Sequence, residues 1–452
     1  MLKKNDKLTV TISALTYAGL GFVKINEFPV FIYNSLPGEE VEIQILKVLK
    51  KYAFARVVKF LSYSPDRNQE IDYHSIQSGL APLSHLKYQA QLSFKENQIK
   101  ETLHKFGIDN PVESIIPSPK ETHYRNKSQV PVRLVKGQLS VGFFRAHSHH
   151  LVPTEDFLLQ ESVIDQNIIK VRDILRKLEI SSYDEDTQRG VVRNIMLRFG
   201  KFTGELMLIL VVNQKDVPRL KKLKHELQSS CPEITSFILN YNFKNTNVIL
   251  GPTNKVIYGS PYLTDKILTN TFKISPLSFY QVNPLQTENL YRIAAEYGNL
   301  KSTDTVMDAY SGIGTVGISL ADRVKQVIGV ESVQQAVEDA LNNAQLNHYD
   351  NVKYVCGKAE EVIDQWISEG LKVNKIFVDP PRKGLAKNFI EQSVKMQPEI
   401  IVYVSCNPAT LGRDLAIYKE LGYAIKKIQP VDLFPQTTHV ESVTMLEKNR
   451  TF

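Results

Sequence analysis

The sequence predicts three structural regions: a small N-terminal β-barrel, an α+β middle region and a doubly wound α/β domain. The chain has 452 residues, which is more than one hydrophobic core usually holds. Short β-rich segments with tight turns fill the first 60 residues, and strand and helix patterns alternate from about residue 278 onward. The predicted regions are residues 1–60, 61–270 and 271–452.

The composition is that of a folded protein in a reducing compartment. Hydrophobic residues make up 42% and charged residues 23% of the chain. No apolar run approaches the roughly 20 residues of a membrane span, and the first residues, MLKKNDKLTV, lack the apolar core of a signal peptide. The three cysteines, at 231, 356 and 406, form no CxxC pair, which argues against disulfides or a zinc site. We expect a cytoplasmic monomer without a metal ion.

The N-terminal region has the pattern of a barrel that binds a polyanion. Its β-rich runs include KLTVTISAL and VEIQILKVL, and turns are indicated at Gly19-Leu20-Gly21 and Leu36-Pro37-Gly38. Residues 1–60 hold nine Lys and Arg against five Asp and Glu. Such barrels often bind nucleic acid on an outer face, although a barrel that only packs on its neighbour is the alternative.

The middle region is predicted to contain a largely antiparallel sheet. Helical periodicity covers residues 86–107, which lie after a polar, turn-rich segment. We expect this helix to belong to the middle region, with packing against the last domain as a possibility. Residues 121–265 alternate β-like runs with one basic helix, DVPRLKKLKHELQSS. This pattern indicates an α+β domain.

In the last region, polar residues follow successive predicted strands. The strands are TVMDAY, QVIGVE, VKYVCG, KIFVDP and IIVYVSC, followed by hairpin-like segments near YAIKKIQPVDLF and ESVTMLEK. Ligands of such sheets bind at the carboxyl ends of the strands. A site is therefore expected where these strands end.

Three of these strand ends favour S-adenosylmethionine as the cofactor. A glycine turn, Gly312-Ile313-Gly314, follows Asp308 and opens a helix, but it lacks the third glycine of the dinucleotide motif. Glu331 ends the next strand, where an acid can accept both ribose hydroxyls. Asp379-Pro380-Pro381 forms a rigid turn that suits a flat ligand beside a methyl donor.

Cys406 has the setting of a nucleophile, because it ends a buried strand and is followed by Asn407 and Pro408. Pyrimidine C5 is a poor nucleophile, but thiolate addition to C6 activates it, and a base must then remove the C5 proton. Glu441 is the predicted base and His439 its competitor. Cys356 also ends a strand but lacks the Asn-Pro sequence, and Cys231 lies outside the sheet domain.

Six segments together resemble the RNA uracil-C5-methyltransferase family. They are SFYQVN, DAYSGIGT, GVE, DPPRKG, YVSCNPATLGRD and HVESV, and the similarity extends over essentially the whole chain. The resemblance implies a class I (Rossmann-like) methyltransferase domain, an N-terminal TRAM/OB-like barrel and a central RNA-binding domain. It implies Cys406 as nucleophile and Glu441 as proton acceptor. It also implies a cofactor site formed by Gln281, Tyr310, Gly312, Gly314, Thr315, Glu331 and Asp379.

The sequence departs from many relatives at the positions of a [4Fe–4S] cluster. Asp72, Ser78 and Ala81 stand where three cysteines would fall, and Phe157 takes the place of the fourth. Thiolate ligation needs thiols, so we predict no cluster; either apolar neighbours such as Leu80 and Leu83 fill the space, or the local structure is looser. The chain thus resembles the cluster-free members, in which one enzyme can serve two uridines of 23S rRNA.

RNA would be held by basic and aromatic residues. The predicted contacts are Tyr124, Arg125, Lys127, Arg133 and Arg145 together with basic residues of the barrel. Phe143 and Phe144 lie among them, and one is expected in the core. His147, His149 and His150 are predicted to form an RNA-facing loop rather than a zinc site.

Three alternatives remain open at this point. The RNA could be a tRNA instead of 23S rRNA. The base could be cytosine, although cytosine-C5 enzymes typically show a Pro-Cys motif and this chain has Cys-Asn-Pro. The protein could also be a non-catalytic RNA-binding protein, which the presence of Gln281, Glu331, Asp379, Cys406 and Glu441 disfavours.

Overall fold

The structure is a computed structural model that describes residues 2–70, 73–145, 148 and 150–449, without the side chains of residues 73, 74 and 77. The described strands form four sheets: an N-terminal sheet of six strands, a middle sheet of seven, a two-stranded hairpin and a C-terminal sheet of seven. No helix within the described ranges is both long and apolar enough to cross a membrane.

The six N-terminal strands form the predicted barrel, with the order β1-β5-β6-β4-β3-β2. The strands are β1 (Lys7–Thr11), β2 (Ala14–Leu15), β3 (Gly21–Ile25), β4 (Phe28–Tyr33), β5 (Glu40–Val48) and β6 (Ala53–Phe60). Side chains alternate between the two faces, so that Val30 and Ile32 are fully buried in the barrel core. A buried ion pair between Arg67 and Glu39 ties the segment after β6 to the barrel.

The middle region contains a mostly antiparallel sheet with the order β13-β12-β11-β10-β7-β8-β9, as predicted. Its elements, after α1 (Tyr73–Ser78) and α2 (Tyr88–Lys105), are β7 (Lys127–Val135), β8 (Gln138–Phe144), β9 (Leu151–Pro153), α3 (Ser162–Lys177), β10 (Val192–Phe199), β11 (Leu206–Val212), α4 (Leu220–Ser230), β12 (Ile234–Tyr241) and β13 (Thr253–Tyr258). Only β11 and β12 pair in parallel, because α4 connects them.

Helix α3 corrects the expectation of a single helix between residues 121 and 265. Its buried residues include Ile164, Ile168, Val171 and Leu175. These positions repeat every three to four residues and lie on one side of a helix. The many β-branched residues of this segment concealed its helical periodicity.

The hairpin formed by β14 (Leu263–Ile267) and β15 (Asn270–Ile274) lies across the predicted boundary at residue 270. Its second strand is fixed to the C-terminal region, since the backbone amides of Thr271 and Lys273 donate to the side chains of Asn347 and Asn343 at 2.8 Å. The hairpin therefore packs as part of the last domain.

The C-terminal sheet has the order β18-β17-β16-β19-β20-β22-β21, with five parallel strands followed by an antiparallel pair. The elements are α5 (Pro284–Gly298), β16 (Thr305–Ala309), α6 (Thr315–Leu320), β17 (Gln326–Glu331), α7 (Gln334–Leu346), β18 (Val352–Cys356), α8 (Ala359–Ser368), β19 (Lys375–Val378), α9 (Lys387–Lys395), β20 (Ile400–Ser405), α10 (Pro408–Glu420), β21 (Tyr423–Val431) and β22 (Glu441–Lys448). This is the predicted doubly wound sheet.

Helices cover both faces of this sheet, and the strand order reverses between β16 and β19. Val306 packs with α5, α6 and α7 on one face, while its neighbour Met307 packs with α2, α8, α9 and α10 on the other. Strands buried on both faces carry continuous apolar sequence. Crevices form at the carboxyl ends beside such a reversal point, and this is where the site residues lie.

Helix α2 packs on the C-terminal domain through its apolar residues and one buried ion pair. Leu92, Ile99 and Leu103 join the core beside α10. The ammonium group of Lys95, with no exposed side-chain surface, lies 2.6 Å from a carboxylate oxygen of Asp432, which also accepts a hydrogen bond from Tyr88. A buried charge destabilises the folded protein unless an opposite charge neutralises it.

We expect Lys95→Met to lower the free energy of unfolding by about 3–5 kcal/mol, because it leaves Asp432 buried without its cation. Lys100→Met on the same helix removes only an exposed pair with Glu96 and should cost less than about 0.5 kcal/mol. Urea unfolding followed by circular dichroism measures both. Equal stability of the two variants would contradict this role of Lys95.

Candidate active site

Cys406 lies in a rigid turn between the end of β20 and the start of α10. The side chain of Asn407 caps α10, accepting from the amide of Ala409 at 3.1 Å, and donates to the carbonyl of Arg382 at 3.0 Å. The hydroxyl of Ser405 accepts from the amide of Asn407 at 3.2 Å. These bonds hold the cysteine at the carboxyl end of the sheet with its side chain half-buried.

The thiol opens into a cavity of about 240 Å³ that several parts of the chain build together. The barrel contributes Tyr17 and helix α2 contributes Gln98. The cavity is lined by Tyr17, Gln98, Arg382, Cys406, Asn407, Pro408, Thr438, His439 and Val440. Cys406 is thus accessible from outside.

The electrostatics of the cavity keep the thiol protonated in the free protein. Burial raises the pKa of Cys406 to about 11, and the carboxyl groups of Glu441 and Asp379 contribute to the rise, whereas the cation of Arg382 opposes it. The side chain of Arg382 is therefore the group that favours the thiolate. Arg382 was not predicted as a site residue, although it follows the Asp-Pro-Pro turn directly in the sequence.

Glu441 begins β22, next to Ser442, which pairs with Ser405 on β20. Its side chain is 4% exposed, and no described residue forms a hydrogen bond with its Oε2 atom. Burial, and then the charge of Asp379, raise the pKa of this carboxyl well above its usual range, while Arg382 lowers it. A buried carboxyl with a free oxygen can take up and hold a proton.

His439, the competing base, uses its ring to hold Arg382. The Nε2 atom lies 2.8 Å from a guanidinium nitrogen, which can only donate, so Nε2 accepts. Burial, and then the cation of Arg382, lower the pKa of His439 to about 4. The accepting nitrogen is occupied, and this favours Glu441 as the proton acceptor.

Asp379 and Gln281 meet at the carboxyl end of β19, the strand beside β20. Burial raises the pKa of Asp379 to about 7, and the amide nitrogen of Gln281 lies 3.5 Å from its Oδ2 atom. The backbone carbonyl of Gln281 is fixed by the side chain of Asn126 at 3.2 Å. The pair joins segments that lie almost a hundred residues apart.

The glycine turn after β16 has the backbone that its sequence predicts. Gly312 and Gly314 have φ values of +54° and +83°, and Tyr310 has +66°. A Cβ atom on Gly314 would lie 2.5 Å from the hydroxyl of Tyr354, whereas one on Gly312 would meet nothing within 4 Å. The space over Gly312 leaves room for a ligand.

Carboxyl and hydroxyl groups surround this turn. The Oε2 atom of Glu331 accepts from the amide of Gly312 at 3.1 Å. The hydroxyl of Thr315 bonds Tyr291 at 2.8 Å, and the ring of Tyr310 packs on Phe389. Burial raises the pKa of Asp308 to about 7, and the Gly317 amide donates to it.

These groups fit S-adenosylmethionine, the cofactor that the sequence predicts. Glu331 can accept the ribose hydroxyls beside Gly312, and the buried hydroxyl of Ser311 has no partner among the described residues. Gln281 and Asp379 lie between this turn and Cys406 in the fold. When bound, the cofactor supplies an electrophilic methyl group.

Two of the predicted RNA contacts are engaged inside the protein. Tyr124 is 2% exposed and its hydroxyl donates to the carbonyl of Pro435 at 3.0 Å, so its ring is not a free stacking surface. Arg133 pairs with Glu185 and donates to the carbonyls of Val132 and Arg193. The prediction of Tyr124 as a stacking surface is corrected by its burial, whereas the RNA contact of Arg133 stays a prediction.

The other predicted contacts retain some exposure. Arg125 and Lys127 are half-buried and Arg145 is exposed. Burial, and then the cations of Arg198 and Arg125, lower the pKa of Lys127 to about 8. Phe143 packs on Phe157 at the edge of the core. His147 and His149 lie outside the described residues, and His150 is exposed.

Two of the four positions at which the sequence predicts the loss of cluster cysteines hold buried apolar side chains, Ala81 and Phe157. Ala81, Leu83 and Phe157 are fully buried, and Ser78 bonds the carbonyl of Ser75. Asp72 lies outside the described residues. The surroundings of Ala81 and of Phe157 are closely packed, as the first of the two possibilities requires. The absence of a cluster stays a prediction. Within the described part of the chain, no three His, Cys, Asp or Glu side chains are placed to hold a metal ion.

The raised pKa predicts how the thiol reacts with alkylating agents. We expect the rate at which iodoacetamide modifies Cys406 to rise about tenfold per pH unit from pH 7 and to level off near pH 11, because only the thiolate reacts. Arg382→Met should move the midpoint upward, since it removes the cation that lowers this pKa. Mass spectrometry of the Cys406 peptide measures the rate. Lys387→Met, on the exposed side of α9, serves as the control, and an unchanged or lower midpoint for Arg382→Met would contradict the assignment.

Comparison with protein families gives two matches. The tRNA (uracil-5-)-methyltransferase family model matches residues 87–449. The TRAM domain model matches residues 2–58. Together they span almost the whole chain.

Individual relatives agree with these matches. An uncharacterized RNA methyltransferase of Lactobacillus johnsonii is 51% identical over 448 residues, covering 99% of both chains. One from Streptococcus pyogenes is 47% identical over 450 residues, which are 99% of this chain and 97% of the relative. Among solved structures, tRNA (uracil-54, C5)-methyltransferase of Pyrococcus abyssi, in complex with S-adenosylhomocysteine, has a TM-score of 0.79 and 27% identity, covering 97% of this chain and 100% of that chain.

Proposed function

Because the chain belongs to the tRNA (uracil-5-)-methyltransferase family and is an S-adenosylmethionine-dependent RNA (uracil-C5)-methyltransferase, we propose that it forms 5-methyluridine in 23S rRNA, at one or two positions. One observation carries the chemistry: the Cys406 thiol and the Glu441 carboxyl belong to adjacent strand ends, and the charge of Glu441 raises the pKa of the thiol. The Oε2 atom of Glu441 has no hydrogen-bond partner among the described residues.

In the first step, a uridine that has left its stack enters the cavity lined by Cys406 and Arg382. The thiol of Cys406 gives its proton to solvent water in the open cavity, and the resulting thiolate forms a bond to C6 of the uracil. The electron pair of the C5–C6 double bond moves toward C5 and O4, which makes C5 nucleophilic. Arg382 stabilises the thiolate, as its effect on the pKa of Cys406 indicates.

After C5 has gained the methyl group, its proton must leave. The Glu441 carboxylate accepts it, the C5–C6 double bond forms again, and the bond between C6 and Sγ of Cys406 breaks. The high pKa of this carboxyl makes its ionised form a strong proton acceptor. Water is kept from the group because Glu441 is buried.

The choice of 23S rRNA rests on the resemblance to cluster-free members of the family. It is supported by the buried apolar side chains at two of the four cluster positions, Ala81 and Phe157. A tRNA is the second candidate, because the similar protein of Pyrococcus abyssi is a tRNA (uracil-54, C5)-methyltransferase.

The target is tested with unmodified 23S rRNA and tRNA transcripts, each incubated with the protein and S-adenosylmethionine. Nucleoside mass spectrometry should find 5-methyluridine in the 23S rRNA, and mapping in a strain that lacks the gene should show the same positions unmodified. Methylation of tRNA alone would replace the rRNA proposal, and 5-methylcytidine as the product would contradict uracil as the target.

We further propose that the enzyme works as a monomer in the cytoplasm. The three cysteines are unpaired, and a reducing compartment keeps a catalytic thiol free. Sedimentation velocity in the presence and absence of RNA measures the oligomeric state.

A further inference from the structure

The outer face of the barrel carries three aromatic rings side by side. Phe22 on β3 is the register partner of Phe31 on β4, and Phe31 is the register partner of Phe54 on β6. The ring centroids are 5.7 Å apart for the first pair and 5.9 Å for the second. The three rings thus cross three neighbouring strands in one row.

Two tyrosines, Tyr52 and Tyr33, extend this row to five rings. Together with Phe22, Phe31 and Phe54 they form an aromatic face. The ring of Tyr52 lies 5.5 Å from those of Phe31 and Phe54. The ring of Tyr33 stacks on Phe54 at 6.0 Å, with 26° between the planes. Phe31 is the central ring, since it contacts three of the other four.

The aromatic face points away from the barrel core. Its strand neighbours Val30, Ile32, Ala53 and Ala55 fill that core and are fully buried. Tyr52 is 36% exposed, and the other four rings are partly exposed. Contiguous aromatic surface in contact with water marks a place where a partner binds.

Positive charge surrounds the aromatic face. Residues 47–59 contain five Lys and Arg and no Asp or Glu. Exposed Arg56 is the register partner of Tyr33, and exposed Lys47 is that of Phe54. Aromatic rings beside cations are the surface that unpaired nucleic acid needs, with a π-face for each base and a cation for each phosphate. An apolar protein partner would gain nothing from this charge.

The aromatic face is also close to the catalytic cavity along the chain. Tyr17 lines that cavity, and its hydroxyl is held by Glu101 at 2.8 Å. Phe22 follows five residues later, so its Cα atom lies within about 18 Å of that of Tyr17. One RNA strand can therefore reach both.

We propose that the aromatic face binds unpaired nucleotides that flank the target uridine, by stacking their bases on Phe22, Phe31 and Phe54. This inference rests on the proposed function, because it takes the RNA substrate as the occupant. It assigns to the barrel a requirement for single-stranded RNA beside the target. The enzyme should therefore bind an unpaired segment more tightly than a duplex of equal length.

Fluorescence anisotropy of the full-length protein with a labelled single-stranded RNA of about 12 nucleotides tests the proposal. Phe31→Ala should weaken binding by about 5- to 150-fold, the loss expected for one stacked base, and leave the slope of log K against log salt unchanged. Arg56→Gln should reduce that slope by about one. Phe202→Ala, which removes a 42% exposed ring outside the barrel, should leave both quantities unchanged.

Phe31→Leu repeats the measurement with the apolar volume largely kept, and thermal unfolding verifies that each variant folds. Wild-type affinity in a folded Phe31→Leu protein would overturn the proposal. So would equal affinity of the wild type for duplex and single strand, or dimerisation through this face in sedimentation. Binding is read without methylation, so failure to form 5-methyluridine would reject the proposed function and leave this test valid.

Discussion

We expect Cys406→Ala to abolish the formation of 5-methyluridine, with a loss on the order of 10⁴-fold or more, the scale seen when a covalent nucleophile is removed. Without the thiolate, C5 of uracil stays too weak a nucleophile to accept the methyl group. Transfer of labelled methyl groups to RNA measures the activity. Binding of S-adenosylmethionine, followed by calorimetry, should be kept, because Cys406 lines the cavity beside Arg382 and not the glycine turn.

Cys356→Ala is the matched control for this substitution. Cys356 is the last residue of β18 in the same sheet, but it is exposed. Its register partner is Glu331 on β17. Its removal should leave turnover within about twofold of wild type, as for a surface substitution. Full turnover by Cys406→Ala, or loss of activity in Cys356→Ala alone, would contradict the assigned nucleophile.

The second large effect is expected for Glu441→Gln. The amide keeps the size of the side chain but accepts no proton, so the methylated adduct between Cys406 and the RNA should accumulate. Turnover should fall about 10²- to 10⁴-fold, the contribution of a general base. A denaturing gel detects the adduct as a band of higher mass that depends on S-adenosylmethionine.

His439→Gln discriminates between the two candidate bases. It disturbs the contact with Arg382 and should slow adduct formation, without making the adduct accumulate. Accumulation in His439→Gln and none in Glu441→Gln would transfer the proton-accepting role to the histidine.

The fold was largely predictable because its elements carry local signals. Several strands of the C-terminal sheet are apolar runs that end at or just before a polar residue, as in the segment before Asp379. The turn at Cys406 was predictable for the same reason, since Asn407 and Pro408 begin α10 by capping chemistry that the sequence shows. Helix α3 was missed because its β-branched residues favour strands as strongly as its spacing favours a helix.

The less predictable features depend on contacts between distant segments. Tyr17 and Gln98 reach the cavity only because the barrel and α2 pack beside the C-terminal domain. Tyr124 stands between a histidine and an arginine in the sequence, yet Pro435, more than three hundred residues away, buries its hydroxyl. Arg133 was predicted to bind RNA from its charge, but Glu185 neutralises it. Residue type indicates chemistry, while the partner is set by tertiary structure.

The most direct test uses an RNA that carries 5-fluorouridine at the target position. Fluorine replaces the C5 proton that Glu441 would remove, so the reaction should stop with the RNA attached to the protein and the methyl group already transferred. Mass spectrometry of the digested complex should find one modified peptide, with the methylated nucleotide on Sγ of Cys406. No adduct under conditions where normal RNA is methylated, or an adduct on Cys356 or Cys231, would contradict covalent catalysis by Cys406.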